Sequence, residues 1–156
     1  MKLTTFLWFE KGAKEASEFY KSVFKENAQI KSTSVLHDTP SGSVEIISMV
    51  IFGQEFTLMT AGPFRKFNEA ISFVINCDSQ EEVDYYWNKM SADKQAEQCG
   101  WIKDKYGVSW QIVPKQLGIL MGDPNKEKAS RVQKAMLSMK KIMIADLQKA
   151  YDADTG

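Results

Sequence analysis

The sequence is poor in the residues that build metal and disulfide sites. It has two cysteines, Cys77 and Cys99, and one histidine, His37, in 156 residues. Two thiols are too few for a secreted disulfide scaffold and fit reduced cysteines in a cytoplasmic protein. No apolar run approaches the roughly 18 residues of a membrane span. The apolar Phe6-Leu7-Trp8-Phe9 stops at once at Glu10, Lys11 and Lys14, so it reads as neither a signal segment nor a membrane anchor. Neither sign of charge is in excess, with 20 basic and 20 acidic residues. That balance argues against nucleic-acid binding by bulk basicity and against a polybasic membrane surface. The nine glycines contain no G-x-G, and Walker loops, EF-hand loops and zinc-ligand clusters are missing as well. Ser109 has no G-x-S-x-G elbow around it and reads as a strand residue. What remains, 44% hydrophobic and 26% charged, is the profile of one soluble globular domain. A chain of this length buries about 70% of its unfolded surface without a metal or disulfide.

Hydrophobic patterning predicts two similar halves and a tail. Leu3 to Phe9 reads as a strand. Ala13, Ala16, Phe19, Tyr20, Val23 and Phe24 form one stripe of an amphipathic helix, with Asn27 as its stop. Strands follow at about Gln29–Leu36, Ser43–Phe52 and Glu55–Thr60, joined by the turns Thr39–Gly42 and Gly53–Gln54. After a connector through Asn68, carrying two basic residues and two phenylalanines, the pattern restarts. A strand at Ala70–Cys77 precedes a helix entered through Asp78-Ser79, with Val83, Tyr86, Trp87 and Met90 on one face. Gln95–Trp101 and Val108–Val113 read as strands, with Pro114 ending the last. In the tail, Asp123 and Pro124 are read as N-cap and first residue of a helix. Val132, Met136, Met139 and Met143 lie at helical spacing, a pattern of core packing or subunit contact. Asn125-Lys126-Glu127-Lys128 alternates in sign and reads as a solvated helix face.

The halves repeat one another. Phe52-Gly-Gln-Glu-Phe56-Thr57-Leu58-Met59 and Tyr106-Gly-Val-Ser-Trp110-Gln111-Ile112-Val113 share aromatic-Gly-x-x-aromatic-polar-apolar-apolar. Phe19-Tyr20 likewise matches Tyr86-Trp87. The second copy is 13 residues shorter, with 20 positions from Tyr86 to Tyr106 against 33 from Phe19 to Phe52.

Three motifs make the pattern specific. They are Thr5–Phe9 with Glu15-Ala16 and Phe19-Tyr20; Ala70–Cys77 with Glu81-Glu82-Val83; and Gln98-Cys99-Gly100-Trp101-x-x-Asp104-x-Tyr106-Gly107-x-Ser109-Trp110-Gln111-Ile112-Val113-Pro114. With these the chain resembles the PhnB-like branch of the glyoxalase, or vicinal-oxygen-chelate, superfamily, whose family label is 3-demethylubiquinone-9 3-methyltransferase. The resemblance implies an α+β fold of tandem βαβββ units, about 1–61 and 69–114, followed by a helical extension over 115–156. Each unit would curl into half of an open barrel around a cleft, and subunits of the family commonly pair as homodimers. In metal-dependent members, His or Glu from the first and last strands of each unit hold a divalent ion that polarises vicinal oxygens of the substrate. The corresponding positions here are about Thr5, Thr57 or Met59, Ile71 and Gln111. None suits a hard divalent ion or zinc, so no metal and no cofactor is expected.

The candidate site is therefore a cleft walled by Trp8, Phe73, Trp101 and Trp110, with Thr5, Cys99 and Gln111 as its polar groups, the composition of a small-molecule pocket. Barrel core is the alternative reading for each aromatic. Two catalytic candidates are weaker. His37, beside Asp38, serves as a general base only if its turn folds over the cleft, and otherwise is a solvated loop histidine. Cys99 needs a cationic neighbour such as Lys103 or Lys105 to become a nucleophile, and otherwise is a wall residue; Cys77 reads as packing. The expected function is small-molecule binding by a cytoplasmic homodimer of unassigned reaction, with no nucleic-acid or membrane partner. The alternatives are a metal-dependent lyase or dioxygenase-like enzyme drawing on His37 with Glu55 or Asp104, and a methyltransferase. The last lacks a glycine-rich cofactor loop, and its strand order does not suit a doubly wound parallel sheet.

Overall fold

Alternation of apolar residues along the strands builds the first sheet of the computed structural model, which describes residues 3–153. Its elements are β1 (Thr5–Phe9), α1 (Ala13–Phe24), a 3₁₀ turn (Lys25–Asn27), β2 (Ala28–Thr39), β3 (Gly42–Ile51) and β4 (Gln54–Thr60). The strand order is β1-β4-β3-β2, with β1 parallel to β4 and the other pairs antiparallel. Leu7, Leu58 and Ile47 sit side by side in register and are buried, as are Phe56 and Met49 one row away. This is the face that α1 covers with Ala13, Ala16, Tyr20, Val23 and Phe24. Each fully buried large side chain here contributes about 2 kcal/mol of apolar burial. The N-terminus of α1 is capped from outside the helix: Gly12 has no side chain to offer, and the Ala13 N–H donates to Thr60 Oγ1 at 3.0 Å.

The β3–β4 turn is Phe52-Gly53, one residue earlier than the pattern predicts, and both residues have positive φ, 48° and 79°. A two-residue hairpin turn with two left-handed positions matches strand twist, and the unusual Phe52 there is held edge-on against Phe24 at 5.5 Å. Strand β2 is longer than expected. It runs through His37 and Asp38, where the register with β3 slips and Asp38 takes φ 58°.

The second unit contains β5 (Phe73–Cys77), α2 (Gln80–Met90), β6 (Trp101–Lys103) and β7 (Ser109–Pro114). Its sheet has the order β5-β7-β6, with β5 parallel to β7 and β6 antiparallel to it. This repeats the β1-β4-β3 pairing, but among the described residues no fourth strand follows. The expected βαβββ is βαββ here: this copy is 13 residues shorter, and the ten residues 91–100 between α2 and β6 form no strand. The strand expected over Gln95–Trp101 also shrinks. Cys99 and Gly100 have φ of 50° and 86°, which an extended strand cannot continue through, so β6 starts at Trp101. Residues 70–72 precede β5 rather than belong to it. Helix α2 starts as expected: Ser79 Oγ accepts from the Glu82 N–H, and Glu82 Oε2 accepts from the Asp78 N–H.

The tail forms α3 (Lys115–Met121), α4 (Lys126–Leu137) and α5 (Ile144–Asp152) around buried Leu120, Val132, Ile142 and Leu147. Met136 and Met139 pack against this cluster, so those two residues of the methionine stripe serve the tail's own core. The cap of α4 is Asn125, whose Oδ1 accepts from the N–H groups of Glu127 and Lys128. Asp123, the expected cap, instead receives the Asn125 N–H and the Tyr151 hydroxyl. The tail is fastened to the second unit. The Cys99 and Gly100 N–H groups donate to Met139 O and Lys140 O at 2.9 and 2.7 Å, and the Gln80 amide brackets Ile142 O and the Ile144 N–H. Residues 68–153 accordingly form one compact unit and residues 3–67 another. Among the described residues no helix is long and apolar enough to cross a membrane.

Candidate functional site

The face of the first sheet turned away from α1 carries two register rows. One is Trp8, Met59, Ile46 and Ser34; the other is Phe6, Thr57, Ser48 and Ser32. At its β2–β3 end lies a cavity of about 450 Å³. Trp8, Met59, Val44 and Leu36 form its floor. Its rim is the β2–β3 turn at Thr39, Pro40 and Ser41 on one side and the connector Ala61, Phe64 and Arg65 on the other.

Specific bonds hold that rim. Ser41 Oγ donates to Ala61 O at 2.9 Å, tying turn to connector, and the Trp8 indole N–H donates to Gly62 O at 3.0 Å. Thr39 Oγ1 donates to Gly42 O and accepts from the Ser41 N–H. Gly62 takes φ 81°, and a Cβ there would lie 3.4 Å from the Phe64 ring, so glycine lets the connector bend back over the sheet. With these polar groups engaged, the wall facing the cavity is apolar. Leu36 and Phe64 remain 49% and 61% exposed around it.

The residues expected to line one cleft divide between the two faces of two sheets. Trp8 stands on the open face and lines the cavity. Thr5 does not join it: β1 alternation places Thr5 with Leu7 and Phe9, beside Phe56, where its Oγ1 accepts from Gln54 Nε2. In the second unit, Trp110 is 3% exposed, its ring lies 5.1 Å from Phe73, and both share the packed face with Ile75, Ile112 and Ile102. Trp110 is core, and Phe73 packs on it. Trp101 and Gln111 are register partners on the opposite face, where Gln111 Nε2 donates to Ser72 Oγ and Lys103 pairs with Glu69. The Lys103 hydrogen bond holds the Glu69 carboxyl below its ordinary range.

Neither catalytic candidate meets the cavity. His37 is exposed, sits at the β2 bulge and shares a hydrogen bond with Ser43 Oγ at 3.0 Å. Cys99 faces the tail, its thiol donating to Leu137 O and accepting from Gln98 Nε2. Burial first, then the charges of Glu82 and Asp78, push the Cys77 thiol up to about 12, so it stays an inert thiol. Among the described residues two carboxylates are buried, Glu97 and Asp104. Burial pushes the Glu97 carboxyl up, yet hydrogen bonds from Lys94 and Ser91 and the nearby Lys140 hold it below its ordinary value. Asp104 is 3% exposed and collects three N–H groups: Tyr106 and Val108 main chain on Oδ1, and the Trp110 indole on Oδ2, all at 2.9–3.0 Å. The Asp104-x-Tyr-Gly-x-Ser-Trp motif thus builds a turn.

The donors present do not fit a divalent cation. The open face of the first sheet offers indole, thioether, alkyl and hydroxyl groups, and among the described residues no three His, Cys, Asp or Glu gather. Of the expected ligand positions, Thr5 is on the packed face, Ile71 is 74% exposed ahead of β5, and Gln111 is engaged with Ser72. His37 and Glu55 lie at opposite ends of the first sheet, Glu55 beside Val50 and His37 near the Thr39–Gly42 pair, while Asp104 is enclosed in its own turn. Pocket-lining Phe64 and Arg65 were not among the expected site residues. Their signal was a connector with aromatic and basic residues, too irregular for a periodicity reading.

Comparison with known proteins gives a consistent picture. The model of a family described as 3-demethylubiquinone-9 3-methyltransferase matches residues 1–113. The PhnB protein from Bacillus cereus is similar at 30% identity over 73% of this chain and 99% of its own, with a TM-score of 0.60. The protein PA1353 from Pseudomonas aeruginosa shares the fold at 17% identity and a TM-score of 0.53, over 73% of this chain and 97% of that one. No curated protein matches the chain.

Proposed function

Because the chain belongs to the PhnB-like 3-demethylubiquinone-9 3-methyltransferase family of the glyoxalase superfamily, we propose that it binds a small organic molecule in the cavity on the open face of its first sheet. The observation that carries this reading is the cavity itself. At about 450 Å³ it falls in the range of small-molecule sites, its walls are apolar, and hydrogen bonds fix its rim. Trp8 is the expected site residue that this reading keeps. The reaction, if there is one, is unassigned. Methyl transfer draws support only from the family's description, since no G-x-G loop follows either first strand. The reading includes a cytoplasmic homodimer. Strand β2 supports the pairing: it ends its sheet and exposes every side chain from Lys31 to Asp38, leaving main-chain groups for a second copy.

A neutral two-ring aromatic, 2-naphthamide, tests the cavity. In ¹⁵N-labelled protein, the Trp8 indole N–H is expected to shift and saturate during titration, while the buried Trp87 and Trp110 indoles stay in place. Shifts confined to other indoles overturn the reading, as does the absence of a saturable Trp8 shift with this amide and with its carboxylate and ammonium analogues alike.

A further inference from the structure

The cavity also carries a statement about the charge of its ligand, which rests on reading it as a small-molecule site. Among the described residues that line it, Arg65 is the one cation, and no acid accompanies it. The neutral polar groups there are already engaged: Trp8 with Gly62, Thr39 with Gly42 and Ser41, Ser41 with Ala61. Arg65 differs. One Nη1 bond goes to Phe64 O at 2.8 Å, and among the described residues no carboxylate pairs with the guanidinium, whose remaining N–H groups stay available to a ligand. The Nη1 bond also orients the group at the mouth, next to the exposed Phe64 ring.

We propose that the cavity selects an apolar, ring-bearing organic anion, its rings against Trp8, Met59 and Phe64 and its carboxylate, sulfonate or phosphate group on Arg65. A guanidinium takes such groups in bidentate fashion, and the exposed Arg65 offers this at the rim, beside the apolar wall. A cationic ligand of the same shape meets repulsion instead, so Arg65 sets specificity by both attraction and exclusion.

Three probes of one shape separate the possibilities: 2-naphthoate, neutral 2-naphthamide and 2-naphthylmethylammonium, titrated by calorimetry and by the Trp8 indole resonance. Naphthoate is expected to bind at least about tenfold more tightly than the amide and the ammonium most weakly. That preference is expected to shrink as salt rises. Arg65→Gln brings naphthoate down to the level of the amide. Lys66→Gln, whose lysine does not line the cavity, keeps the preference. Equal binding of all three probes, or a preference that survives Arg65→Gln, overturns the inference while the cavity remains a binding site. Failure of all three to bind overturns the cavity reading and the inference with it.

Discussion

Replacing Asp104 with alanine is expected to destabilise the chain by about 3–5 kcal/mol, although this carboxylate touches no ligand. The change strands three donors at once, the N–H groups of Tyr106 and Val108 and the Trp110 indole, in a place where Asp104 itself is 3% exposed. Water cannot replace the lost acceptor for the buried Val108 N–H and Trp110 indole, so each of these bears a desolvation cost of about 1–3 kcal/mol, and the half-buried Tyr106 N–H bears less. Asp104→Asn separates the contributions. Its amide oxygen can still serve the two main-chain donors, but its NH₂ would then face the indole N–H, donor against donor, and a loss of about 2 kcal/mol is expected. Urea unfolding measures both, and the alanine change lowers the melting temperature by on the order of 10 °C. In a double-mutant cycle, Trp110→Phe costs clearly less on the Asp104→Ala background than alone. An Asp104→Ala protein within about 1 kcal/mol of the parent would mean the 104–108 turn does not depend on this carboxylate.

Gly100→Ala is the second large effect, with an expected loss of about 3 kcal/mol. An added Cβ would lie 2.9 Å from both Ile112 O and Ile142 Cδ1, at a position with φ +86°. The backbone cannot retreat easily. Gly100 O accepts from the Ile112 N–H at 2.8 Å, and the Gly100 N–H donates to Lys140 O at 2.7 Å, so one residue is pinned to β7 and to the tail together. The left-handed conformation costs a non-glycine residue about 1–2 kcal/mol, and overpacking adds about 1–3 kcal/mol. Gly107→Ala is the matched control. It has the same φ, with nothing within 4 Å of its Cβ position, so only the conformational part is expected. Hydrogen exchange adds the location: Gly100→Ala should speed exchange in α4 and α5 more than in β3 and β4, because the lost bonds fasten the tail. Equal losses for the two glycine variants would contradict the close-packing account.

The helices were legible because their stripes are long and their starts chemically marked. Ala13 to Phe24 gives one buried face, and Ser79, from the expected Asp78-Ser79 entry, caps α2 while Glu82 in the first turn accepts from the Asp78 N–H. The repeat was legible as well, since the aromatic-Gly motif marks equivalent hairpins, each leading into a strand parallel to the first of its unit. Faces were less legible. Trp110 lies between Val108 and Ile112 at period two, which assigns it to the core, yet its place in a distinctive motif suggested a cleft wall. Thr5, in step with Leu7 and Phe9, carries the same lesson. Cys99 and Gly100 belong to the most specific motif of the chain, and their role depends on Met139, Lys140 and Ile142, about forty residues away, which no local pattern connects. The cavity rim escaped for a related reason. Phe64 and Arg65 lie in a connector without periodicity, placed by bonds from Ser41 and Trp8 that exist only in the folded chain.

A crystal structure of the protein with 2-naphthoate would show directly whether the first-sheet cavity and Arg65 hold the ligand. The naphthyl ring is expected between Trp8, Met59 and Phe64, with the carboxylate on the Arg65 guanidinium and the Ser41–Ala61 and Trp8–Gly62 bonds intact. A ring bound on another surface, with the first-sheet cavity empty, would contradict the account.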